Sequence, residues 1–201
     1  MTVRERPAAI AGRTPSLACA GGYTLVEVMF VAGLIAVIVA TAVPQLTVGI
    51  ERARARAAAR YLAGQMIAAR TQAVGRAAAV ALRFQRDALG VTLTLVLDGN
   101  RNGVRMRDIE SGLDRQMQAS TRLDQLFPGV RIDAPADSGD SAVQLGGTDI
   151  LSFTPDGTST SGTVQILGRD GSRFAVRVFG VTGRVRVLQF DDRSRGWMEL
   201  L

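Results

Sequence analysis

Glu27 is the one charged side chain in an apolar run, YTLVEVMFVAGLIAVIVATAV, that covers residues 23–43. A carboxylate inside such a span costs about 2.5–3.5 kcal/mol on insertion scales, so its presence marks function. It stands one helical turn inside Tyr23, with Gly21 and Gly22 immediately upstream. A second candidate is the stretch with Asp98, Asn100, Asn102 and Gly103, which fits the opening of a calcium loop, D-x-N-x-N-G. Such a loop closes with a bidentate Glu at its twelfth position, where this chain has Ile109 between Asp108 and Glu110. Arg101, Arg105 and Arg107 also oppose a cation, and an Asn/Gly-rich connection between strands accounts for the same residues. A third candidate is Gly183-Arg184-Val185-Arg186. In a strand Arg184 and Arg186 share one face, and Arg173 with Arg177 would make a similar row. Paired guanidiniums hold phosphates without reading base sequence; a solvated strand face is the alternative.

Several chemistries are excluded by residues that are missing. There is no His in the 201 residues, which removes Ser-His-Asp and Cys-His catalysis and the commonest zinc ligand. Cys19 is the only cysteine, so no intrachain disulfide can form. Ser159, Thr160 and Ser161 have no base nearby and read as loop residues. Neither an enzyme nor a cofactor is expected. Every basic side chain is Arg, and the net charge of +6 suits an acidic partner such as nucleic acid or anionic lipid. A GC-rich genome would give the same arginine usage.

The elements that must position these residues start with the apolar run itself. A helix of about 21 residues spans roughly 31 Å, the thickness of a bilayer core. Three readings compete for it. An ordinary secretory signal is suggested by the small-x-small pattern Ala40-Thr41-Ala42, but the apolar core is too long and Pro44 follows the cut closely. The others are a plain single-pass anchor and a signal cut before the run instead of after it; Glu27 favours the last. Ala32, Ala36 and Ala40 form a small-residue stripe for close helix packing, and Pro44 is expected to end or bend the span. Arg4, Arg6 and Arg13 argue for a cytoplasmic N-terminus, while Arg52, Arg54, Arg56 and Arg60 behind the span argue the reverse.

The run GGYTLVEVMFVAGLIAVIVATAVP resembles the N-terminus of type IV pilins and type II secretion pseudopilins: a Gly, a cleavage point, a usually aromatic residue, a small or hydroxyl residue, two apolar residues, then Glu. Phe is commoner than Tyr at the first mature position. The resemblance implies that a membrane prepilin peptidase cuts between Gly22 and Tyr23 and N-methylates Tyr23. It also implies that the new α-amine pairs with Glu27 of a neighbouring subunit during filament assembly, offsetting the desolvation of a buried carboxylate. It places the C-terminal domain outside the inner membrane, in the periplasm.

Beyond the span, the pattern from Gln45 to about Ala79 is helical, with Leu46, Ile50, Ala53, Ala57, Tyr61, Met66 and Ile67 as the expected inward stripe. After Ala79 the period becomes two, and strands are expected over residues 80–84 and 91–97 with a turn at 87–90. Further strands are expected at 130–132, 150–153, 163–167, 174–179 and 184–190, with turns over 133–140 and 155–162. Two head segments, LDGNRNGVRMRDIESG (97–112) and FTPDGTSTSGTVQI (153–166), resemble the GspH/FimT group of minor pseudopilins and minor pilins. The stretch at Arg184 and Arg186 is similar to a motif of FimT-type minor pilins that bind DNA, so DNA is a candidate partner by resemblance.

These readings combine into an α+β chain: a long N-terminal helix, transmembrane in its first half and amphipathic in its second, packed on a small antiparallel β head. The expected divisions are a cleaved leader (1–22), a transmembrane helix (23–43), its amphipathic continuation (44–79) and a periplasmic head (80–201). The function implied by the resemblance is that of a minor pseudopilin of a type II secretion system, with other pseudopilins or pilins, the prepilin peptidase and the inner membrane as partners. The alternatives are a FimT-like minor pilin and, from another class, a single-pass anchored binding module.

Overall fold

The computed structural model describes residues 22–88, 90–134, 139 and 141–200. The chain divides into two units, Met1–Val43 and Pro44–Leu201. Cys19 and the rest of the expected leader before Gly22 lie outside the described residues.

Helix α1 (Leu25–Arg76) contributes residues to both units and runs through Pro44, so of the two expectations for this proline, an end or a bend, the end is not met. In the first unit the large apolar side chains among the described residues are exposed, Phe30 at 73% among them. That part of α1 is long and apolar enough to cross a membrane.

In the second unit α1 buries a face made largely of alanine: Ala55, Ala58, Ala59, Ala69 and Ala73, with Leu62 and Met66 between them. The expected inward stripe is corrected here. Met66 is buried and Tyr61 is half-buried with its ring 5.8 Å from Phe127, whereas Leu46, Ile50, Ala53, Ala57 and Ile67 are exposed. The physical reason is that the sheets accept small side chains against the helix in place of large ones. The alanine face starts two residues on from Ala53 and Ala57, about 200° around the helix. Alanine lets the helix backbone approach a sheet closely, and the bulk of the core comes from the strands. The helix closes on Ala77, whose φ of 49° is left-handed, with Ala78 N–H donating to Ala73 C=O at 3.3 Å.

Alternating apolar residues make the head strands. β1 (Val80–Asp87) and β2 (Gly90–Leu97) form a hairpin with Asp87 opposite Gly90. After α2 (Met106–Glu110), the short strands β3 (Arg115–Gln116) and β4 (Thr121–Arg122) pair with different parts of β2. Then come α3 (Leu123–Leu126), β5 (Val143–Gln144) and β6 (Ile150–Phe153), the last pairing with β1. Next are β7 (Gly162–Leu167), β8 (Arg173–Phe179), β9 (Arg184–Asp191) and β10 (Gly196–Glu199). One five-stranded antiparallel sheet thus runs β3-β2-β1-β6 with β4 also on β2, and a second runs β10-β9-β8-β7-β5.

Both sheets and the alanine face of α1 share one apolar core, with Phe84, Phe153 and Phe174 fully enclosed. Residues 130–132, expected as a strand, make only a single bridge: Arg131 and Leu167 exchange two backbone hydrogen bonds, at 3.0 and 2.8 Å.

Candidate functional site

Gly22, Tyr23 and Thr24 precede α1 as non-helical, exposed residues. Thr24 starts the helix. Its Oγ1 accepts the Glu27 N–H at 3.3 Å, and its carbonyl accepts the Val28 N–H at 3.2 Å. This is the N-cap arrangement, and Thr-x-x-Glu is the spacing of a capping box. Glu27 therefore lies in the first turn, where the partial positive charge of the helix end favours a carboxylate. Its side chain is exposed, and no ion pair reaches it among the described residues. Sequence reasoning did not single out Thr24, although Thr-x-x-Glu ahead of an apolar run is a legible start signal. Gly22, Tyr23 and Glu27 are thus brought together at one helix end: an open peptide bond, then one turn later a carboxylate without an ion pair.

The stretch from Asp98 to Gly103 forms a carboxylate-centred turn. Asp98 is buried; its Oδ1 accepts the N–H groups of Asn100 and Arg101 at 3.1 and 2.7 Å, and its Oδ2 accepts the Gly103 N–H at 2.7 Å. Asp114, also buried, accepts the N–H groups of Gly99 and Arg105 at 3.0 and 3.1 Å. Gly99 has no room for a side chain, since a Cβ would lie 1.9 Å from the Leu113 carbonyl oxygen. These are the hydrogen bonds of an Asx-type turn, and the Asn100 side-chain amide points to Asp108 at 3.4 Å. No group of three or more His, Cys, Asp or Glu side chains that could hold a metal ion occurs among the described residues. The D-x-N-x-N-G spacing encodes an Asx-type turn.

Arg184 and Arg186 lie on one face of β9, as expected for alternate strand residues. Arg177 on β8 stands directly opposite Arg186, while Arg173 lies further along β8, with its guanidinium 3.6 Å from the Phe190 ring centroid. Arg186 pairs with Glu199 at 2.9 Å. Gly183 serves the turn before β9. Its φ is 59°, and a Cβ there would lie 2.3 Å from the Gly157 carbonyl oxygen and 2.8 Å from Arg70 Nε. Arg70, on α1, donates to that same carbonyl at 3.0 Å. Ser159 Oγ is buried without a hydrogen-bond partner among the described residues.

Comparison with known proteins places the head in a family. The family model described as Type II transport protein GspH matches residues 58–182, most of the head and the helix segment beneath it. The chain belongs to the GspH family. The structure of the minor pseudopilin EpsH from the Type 2 Secretion System of Vibrio cholerae aligns with 16% identity and a TM-score of 0.45, covering 68% of this chain and 97% of that one. No curated protein matches the chain. Membership in the GspH family makes this a pseudopilin, a structural component of a secretion pseudopilus and not an enzyme. As such it assembles with other pseudopilins. The helix–sheet head is the fold expected of it, and the N-terminal helix suits a single-pass anchor.

Proposed function

We propose that this chain is a minor pseudopilin of a type II secretion system, cut by prepilin peptidase between Gly22 and Tyr23, N-methylated on Tyr23, and inserted in the inner membrane with its head in the periplasm. On this reading residues 1–22 are the leader, 23–43 the transmembrane helix, 44–79 its continuation and 80–201 the head. The observation that carries it is the start of α1, in a chain of the GspH family. An exposed, non-helical Gly22–Tyr23 bond is followed by a Thr24 cap and by Glu27, in a helix whose apolar side chains have no cover in their own unit. An exposed, non-helical bond is one that a protease can enter.

Before the cut, the Tyr23 nitrogen is an uncharged amide. After it, a protonated α-amine sits at the positive end of a helix, which disfavours it. Two carboxylates could offset that cost, the chain's own Glu27 and that of a neighbour. In an apolar filament core the neighbour's contact is worth most, because neither charge retains water there. Glu27 thus acts in register and assembly, and no catalytic role is assigned to any residue.

The test is Glu27→Ala, in cells that make the peptidase and the sibling subunits. The variant is expected to be cut and methylated normally but to fall out of the filament, measured by shearing filaments from cells and quantifying the subunit. Incorporation at the wild-type level would defeat the assembly role.

A further inference from the structure

The second sheet carries a groove of about 610 Å³ beside the β8–β9 turn, within the range of roughly 300–1,000 Å³ typical of ligand sites. Three arginines line it, Arg177, Arg184 and Arg186, together with the hydroxyl residues Ser161, Thr163 and Thr182. Register places Arg177 directly opposite Arg186, and Arg184 is two residues further along β9 on the same face. Like charges directly opposite on neighbouring strands are destabilising, so this cluster favours an anion.

The fold already supplies one. Glu199 reaches Arg186 at 2.9 Å, yet Arg186 Nε is buried without a hydrogen-bond partner. Arg177 donates to the Thr163 hydroxyl at 3.3 Å, and neither Arg177 nor Arg184 takes part in an ion pair among the described residues. At the mouth stand two apolar side chains: Phe179, 40% exposed, and Val181, 88% exposed.

We infer that this groove receives an acidic segment of a neighbouring pseudopilin, with carboxylates on Arg177 and Arg184 and an apolar residue against Phe179 and Val181. The inference rests on the proposed filament role and adds the chemistry of one contact. A carboxylate is the anion that one of these arginines already holds, and two parallel N–H···O bonds match guanidinium to carboxylate. Glu199 beside the groove repels a continuous phosphate chain, whereas a peptide can space its charges around it. The exposed Val181 and Phe179 likewise fit side chains better than sugar–phosphate.

The full-length chain in nonionic detergent would be titrated with a short fluorescein-labelled peptide alternating Glu and Phe. Its Gln–Phe twin, an oligothymidylate of equal length and micelles doped with phosphatidylglycerol serve as rivals. The Glu peptide is expected to bind best. Arg177→Ala with Arg184→Ala should weaken it about a hundredfold or more, the worth of losing one charge-assisted hydrogen bond at each arginine. The corresponding Lys variants should recover part of the loss, and the unfolding midpoint of the double Ala variant should not fall, because both residues are exposed and Arg177 faces a like charge. Failure of the Glu peptide to bind, equal binding by the double Ala variant, or tighter arginine-dependent binding of oligothymidylate or lipid would each overturn the inference. Processing separates this from the filament reading. A double variant cut normally at Gly22–Tyr23 that binds peptide like the wild type defeats the groove alone, whereas a wild-type chain left uncut beside active peptidase defeats the function on which it rests.

Discussion

The two parts of α1, before and after Pro44, are both rich in Ala, Val, Leu and Ile, yet their apolar side chains find partners in different places. After Pro44 one face is enclosed by strands of the same chain, with Leu62 and Met66 fully buried. Before Pro44 Leu34, Ile35 and Ile38 are exposed, and the carboxylate of Glu27 has no ion pair among the described residues. The head behaves likewise toward charge, since Asp98 and Asp114 are met by the chain's own N–H groups. Charge separates the two parts, with six Arg and Glu51 after Pro44 against Glu27 alone before it. So does cover: a helix whose apolar side chains the rest of the chain leaves exposed is built for lipid or for neighbouring subunits.

The sharpest break of this comparison is a matched pair of truncations. Leu62→Ala should cost about 2–5 kcal/mol of head stability, from lost transfer energy and the cavity left behind. Leu34→Ala should leave it unchanged within about 0.5 kcal/mol. Denaturant titration of the full chain in nonionic detergent reads both, and equal losses would break the distinction.

Asp98→Ala comes next. It removes the buried acceptor of three backbone N–H groups in an otherwise exposed turn and should cost about 2 kcal/mol, the worth of hydrogen bonds to a charged group, with Asp98→Asn in between. Calcium added to the wild type should leave the unfolding midpoint where it is. A rise with calcium would restore the cation-loop reading.

The smallest effect is one of pH. Hydrogen bonds and charge from Arg122 hold the Asp124 carboxyl below the usual carboxylate range. A group whose folded pKa is lowered stabilises above its unfolded pKa and loses that contribution as pH falls through the folded value. The window lies below about pH 4. Asp124→Asn should flatten the acid side of the stability profile there and leave neutral pH nearly untouched, because water screens the pair. An unchanged acid side would show that the pair contributes nothing.

Much of this was legible from residue order. The hairpin of β1 and β2 and the strands β6 to β9 follow from period-two alternation bounded by Gly, Asp and Pro, and their observed limits lie within a few residues of those expected. The strands β3, β4 and β5 have two residues each, too few for any period to show. The buried face of α1 departs from expectation for a different reason: hydrophobic size marks burial only where space is available, and there the strands bring the bulk. The calcium-like spacing at Asp98 is ambiguous in sequence because a turn and a cation loop both need short acceptors and glycine. Which donors fill the centre is decided by tertiary neighbours such as Asp114 and Leu113. The clustering of Arg177 with Arg186 required strand register, which sequence does not provide.

N-terminal mass spectrometry of the chain, taken from its native membrane or from cells with active prepilin peptidase, addresses the central claim most directly. The account predicts a mature chain that begins at N-methylated Tyr23, and loss of that species on Gly22→Ala or on deletion of the peptidase. An intact leader beside an active peptidase, or a cut after Ala42, would contradict it.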